Sequence, residues 1–143
     1  MYGNERQAYR KLFSEVYHKM QNNAVLTPLE AQIAAVLDEH PYYHVLFQND
    51  QSLAQDFLAA QGEENPFLHM SLHLALQDQI KTNRPSGIAQ VYQGLLTKGL
   101  DAHEAEHQML EILAEFMWQS LKHQQTNNEQ AYLEQLKRLL TRH

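Results

Sequence analysis

At 143 residues the chain suits one domain with a single core of respectable size. Acidic residues outnumber basic ones 17 to 11, a formal charge of −6 with no Lys/Arg cluster, which argues against a nucleic-acid footprint or an anionic-membrane patch. Cysteine is absent, so disulfides, thiolate zinc sites and iron–sulfur clusters are excluded, and histidine and carboxylate are the strong metal ligands that remain.

The start of the chain, MYGNERQAYRKLF, is polar and has no apolar h-region. No later run approaches the roughly 18 apolar residues needed to span a bilayer, and we expect a soluble cytoplasmic protein. Glycine and proline are sparse, at 5 and 4, and the stretches between them are rich in Leu, Ala, Gln and Glu, which lose little rotamer freedom in helices. The expectation is an all-α fold, a helical bundle with a four-helix core and additional short helices, forming one domain over residues 1–143. Tyr9, Leu12, Phe13, Val16, Tyr17 and Met20 recur at three- and four-residue steps and predict a first amphipathic helix. Thr27-Pro28-Leu29-Glu30 then supplies an N-cap, a proline at the first helical position and a glutamate placed to close a capping box. The apolar face of that second helix runs from Leu29 through Ile33 and Val36 or Leu37 to His40, where Pro41 forces a kink or a restart.

Ser52 to Ala60 fits a short helix and Gly62 to Glu64 a loop. Asn65-Pro66 repeats the cap-then-proline signal and opens a helix to about Lys81, with His69, His73, Leu76 and Ile80 on one face flanked by Leu68 and Leu72. Asn83-Arg84-Pro85-Ser86-Gly87 is a turn, followed by a shorter helix carrying Ile88, Val91, Leu95 and Leu96 and ending near Gly99. Asp101 caps the next helix, whose stripe reads His103, His107, Leu110, Ala114, Met117 and Leu121, widened by Leu113, Phe116 and Trp118. After a polar linker at Gln124 to Asn127, Tyr132, Leu133, Leu136, Leu139 and Leu140 mark a terminal helix.

Six of the nine histidines fall into three H-x-x-x-H units: His40 with His44, His69 with His73, and His103 with His107. Random placement would give about half of one such pair, so three on core-facing stripes call for a chemical reason. Side chains four apart on a helix stand about 5 to 6 Å apart at Cβ and can converge on one ion, and several such helices build the metal sites of bundle cores. The plainer alternative is a satisfied core histidine, which is the commoner fate of any one of them taken alone. Glu106, one residue before His107 and three after His103, is the carboxylate best placed to share their face, and Gln77 follows His73 by four and can orient it. HEAEH also satisfies the H-E-x-x-H pattern of zinc hydrolases, with Glu104 as general base, but Glu104 lies three residues after Asp101 and a helix-start role alone explains it.

HPYYH, NPFLHMSLH, the NRPSGI turn and HEAEH followed by Leu113 and Trp118 resemble the signature segments of a bacterial family of small helical proteins classed as a domain of unknown function. The likeness runs from about Thr27 to Trp118. The family pattern has an acidic residue where this chain has Tyr42, and an aspartate where it has Asn83. The first departure removes a carboxylate from beside His40 and His44. The resemblance implies His40, His44, His69, His73, His103, Glu106 and His107 as motif positions and implies no activity.

The leading reading is therefore a metal-binding helical bundle with a histidine-rich mono- or dinuclear site built from these seven residues. It would hold a divalent transition metal, iron or zinc ahead of manganese or nickel. The histidine-dominated donor set is similar to hemerythrin-like proteins and suits ligand binding or sensing of a small molecule. The competing readings are a metal-free interaction protein with a buried histidine network and a zinc-dependent hydrolase working through HEAEH. Enzymatic activity and oligomeric state are left open by the sequence.

Overall fold

Thr27 and Glu30 form the reciprocal contact their spacing predicts. The threonine Oγ1 accepts from Glu30 N at 3.2 Å, and the glutamate Oε1 accepts from Thr27 N at 2.9 Å. Signals of this kind recur. Asn65 Oδ1 accepts from Phe67 N and Leu68 N at 3.0 and 3.1 Å, Asp101 Oδ1 from Glu104 N at 2.8 Å, and Asn128 Oδ1 from Ala131 N at 3.2 Å. Each satisfies amide groups that the first turn of a helix leaves without an internal acceptor.

The computed structural model describes residues 2–47, 65–123 and 128–142. All regular structure among them is helical: α1 (Tyr2–Gln21), α2 (Pro28–Glu39), a 3₁₀ helix (Pro41–Phe47), α3 (Pro66–Thr82), α4 (Ile88–Thr97), α5 (Ala102–His123) and α6 (Glu129–Arg142). The all-α fold expected from composition is borne out. No helix among the described residues is long and apolar enough to cross a membrane. The expected short helix at Ser52 to Ala60, the loop at Gly62 to Glu64 and the linker at Gln124 to Asn127 lie outside the described residues.

The chain forms two compact units, Met1–Leu74 and Ala75–His143. The boundary falls inside α3, where no linker composition marks it.

In the first unit, Phe13, Val16 and Tyr17 of α1 meet Ile33, Ala34, Val36 and Leu37 of α2, together with Phe47, Phe67 and Met70. Tyr17 stacks on Phe47 at 5.3 Å between centroids, and Phe47 stands edge-on to Phe67 at 5.9 Å. The guanidinium of buried Arg10 lies 4.6 Å from the Phe67 ring centroid, a cation–π contact inside the core. Two expected apolar positions point outward instead. Leu29 and Leu68, each in the first turn of its helix, are about half exposed.

The second unit packs α4, α5 and α6 against one another as a small bundle. Ile88, Val91 and Leu95 of α4, Ala105, Met109, Leu110 and Leu113 of α5, and Tyr132, Leu133, Leu136 and Leu139 of α6 are buried. Gly94 lets α4 approach α6 closely, since a Cβ there would lie 2.7 Å from Leu140 Cδ2. The α5 stripe is rotated from the predicted one. Met109 and Ala105 are buried, while Met117 and Trp118 are exposed. The turn before α4 is organised by Asn83, whose Oδ1 accepts from Gly87 N at 3.0 Å and Ala89 N at 3.2 Å, with Asn83 at φ 54°. Asparagine tolerates the left-handed region that this turn requires.

Candidate metal centre

The end of α2 is shaped by Pro41. In an unbroken helix the amide of residue 41 would serve the Leu37 carbonyl and that of His40 would serve Val36. Proline has no N–H, so the pattern shifts. His40 N donates to Leu37 O at 3.1 Å, and the Val36 carbonyl accepts from His40 Nδ1 at 2.7 Å. Because a carbonyl oxygen only accepts, Nδ1 must carry the proton, and the lone pair of the ring is on Nε2. His40 is fully buried. Donation of one ring N–H to a backbone carbonyl is the arrangement that fixes tautomer and orientation in metal-ligating histidines.

His69 and His73 stand one turn apart on α3, half-buried and buried respectively, with their Nε2 atoms 3.2 Å apart. Centroid distances are 5.0 Å from His40 to His69, 4.8 Å from His40 to His73 and 4.8 Å from His69 to His73. Three imidazoles from two helices of the first unit therefore face one point, and each offers a ring nitrogen within 4.8 Å of those of the others. Nitrogens bound about 2.0–2.1 Å from a tetrahedral ion stand about 3.3 Å apart, so the His69–His73 pair already has ligand spacing.

His44 does not join this trio. Its Nε2 donates to the Leu37 carbonyl at 2.7 Å, and its ring meets Tyr17 edge-on at 5.1 Å. It thus serves the carbonyl that Pro41 cannot. The reason is helical period. Four residues on an α-helix leave side chains about 40° apart, whereas on a 3₁₀ helix they leave them about 120° apart. The same change brings a residue that the histidine spacing gave no reason to select. Tyr43, three residues on, has its amide bonded to His40 O at 3.0 Å and its ring parallel to His40, 5.5 Å away and tilted by 3°. It also lies 6.2 Å from the His69 ring. The signal was present in Pro41, which starts a segment where positions three apart eclipse.

In the second unit, His103 and His107 are paired on α5 as their spacing predicts, half-buried with centroids 4.3 Å apart. Glu106 is buried, and its Oε1 accepts from Gln77 Nε2 at 2.8 Å. Gln77, expected to orient His73, donates to this carboxylate. Glu104 is exposed, and its backbone amide donates to Asp101 Oδ1, the capping role expected of Asp101.

No curated protein and no solved structure matches the chain. A family profile covers it almost from end to end, matching residues 5–138, and the chain belongs to that family, described as a domain of unknown function (DUF1841).

Proposed function

We propose that the protein binds a divalent transition metal through His40, His69 and His73 of the first unit. The observation that carries this reading is the convergence of three imidazoles in the first unit, two with Nε2 atoms 3.2 Å apart and the third held as the Nε2 lone-pair tautomer by Val36. All-imidazole donors suit iron or zinc ahead of manganese, which prefers oxygen. A neutral donor set of this kind supports binding or sensing of a small ligand in the manner of hemerythrin-like sites.

Protein purified without a polyhistidine tag is expected to carry metal by elemental analysis, and His69→Ala and His73→Ala to lose it. A metal-free protein with full ligand competence excluded by titration would overturn the proposal. The 3.2 Å contact also favours a second reading, in which one of these rings donates to the other in a metal-free hydrogen-bond network. The same titration separates the two, because a network takes up no ion. The hydrolase reading through Glu104 has less support, since that side chain is exposed at the helix start.

A further inference from the structure

We infer that Tyr43 and Tyr42 form a one-electron outlet from the histidine centre to the surface, through which a redox-active metal can reduce a hydroperoxide with Tyr42 as the reductant. The inference rests on the metal reading above.

The path is continuous in the first unit. Tyr43 lies parallel to His40 at 5.5 Å and faces His69 at 6.2 Å, so it borders two of the proposed ligands. Tyr42 is 4.4 Å from Tyr43 between centroids and 5.8 Å from His40. Exposure rises along the path. His40 is 0% exposed, Tyr43 is half-buried and Tyr42 is 63% exposed. The 3₁₀ period fixes the order, since position 43 eclipses position 40 while position 42 is turned outward. A phenol is among the easiest side chains to oxidise by one electron, and two in ring contact offer successive short steps. Of the core aromatics, Phe13, Phe47 and Phe67 have no hydroxyl and resist oxidation, and Tyr17, stacked on Phe47, is buried where it cannot meet a second chain.

The chemistry balances with a hydroperoxide as oxidant. In each of two chains the Tyr42 phenol loses one electron and its O–H proton. The two rings join through one carbon–carbon bond, and the ring protons at the joined carbons move to the phenolic oxygens. Hydrogen peroxide takes up the two electrons and two protons, its O–O bond breaks, and two waters leave. A redox-active metal held by His40, His69 and His73 would supply only the conduit for these electrons, with no net change in its oxidation state. An exposed Tyr42 can meet its counterpart on a second chain, so the stable product is an interchain dityrosine.

The test loads the intact protein with one equivalent of iron(II), removes unbound metal, adds hydrogen peroxide and reads dityrosine fluorescence, with peptide mapping of the cross-link. Wild type is expected to cross-link at Tyr42. Tyr42→Phe should abolish the signal, and Tyr43→Phe, which keeps the ring stack without the phenol, should slow it severalfold at unchanged iron content. Zinc-loaded wild type should give none. Equal rates in Tyr43→Phe and wild type, or oxidation confined to His40, His69 and His73, overturn the relay while leaving metal binding intact. Failure to take up iron overturns the metal reading for iron, and the relay with it.

Discussion

His40 donates its Nδ1 proton to the Val36 carbonyl at 2.7 Å, a bond that exists because residue 41 is proline. The missing amide displaces the backbone bond of His40 to Leu37, leaves Val36 to the imidazole, and turns the Nε2 lone pair away from α2. Removing that ring should be costly twice over. His40→Ala is expected to lose metal and to destabilise the fold by about 2–4 kcal/mol, from a core cavity and a lost buried hydrogen bond. Chemical denaturation and metal analysis of the purified variant check both.

His44 has the same sequence relationship to His40 that His73 has to His69, yet it caps Leu37. His44→Ala should therefore keep wild-type metal content and lose about 1 kcal/mol, the ordinary net worth of one hydrogen bond. Loss of metal in this variant would show that His44 turns toward the ion when one binds.

Ion binding should also appear in the melting curve. A ligand present at a hundredfold excess over its Kd stabilises the native state by about 2.7 kcal/mol. For a chain of this length that is a rise of roughly 5–10 °C. His69→Ala/His73→Ala should remove the rise, and its persistence in the double variant would place the bound ion elsewhere.

What the sequence could and could not reveal follows from periods. Thr27-Pro28-Leu29-Glu30, Asn65-Pro66 and Asp101 mark helix starts because capping is a local transaction between residues three apart, and all are found as expected. The pairing of His69 with His73 and of His103 with His107 was legible for the same reason, each lying within one α-helix. His44 was not, because the step from His40 crosses a change of period at Pro41. Tyr43 became visible as a site neighbour only with that change. The exposed Met117 and Trp118 reflect a stripe that continued too far along α5, where periodicity alone does not say which neighbour is still beside it.

Lys19 Nζ lies 2.6 Å from Glu30 Oε2, and this contact, with the amide of Thr27 next, holds the Glu30 carboxyl below its ordinary pKa of 4.5. The folded state therefore binds this proton less readily than the unfolded one. The stabilisation is complete above pH 4.5 and fades as acid titrates the folded carboxyl below that value. Glu30→Gln should be less stable than wild type at neutral pH, and the gap should narrow in acid. Thr27→Ala, which removes the other half of the capping box, should cost about 1 kcal/mol with little pH dependence of its own. A difference between Glu30→Gln and wild type that stays constant down to acid unfolding would show that the ion pair contributes nothing.

The Gln77–Glu106 bond separates two roles for the one buried carboxylate of the histidine motifs. If Glu106 is structural, Gln77→Ala removes a donor from a buried acceptor and should cost about 1.5–3 kcal/mol when the carboxylate is charged. Metal content should then stay as in wild type. Glu106→Gln should destabilise similarly, since two facing amides can keep one bond but lose its charge-assisted strength. If Glu106 is instead drawn to the ion when metal binds, Glu106→Gln should weaken metal affinity far more than it weakens the metal-free fold. The comparison is best made on paired samples, measuring unfolding free energy without metal and metal affinity by competition with a chelator. The histidine-only centre predicts that the two variants shift the first quantity together and leave the second near wild type.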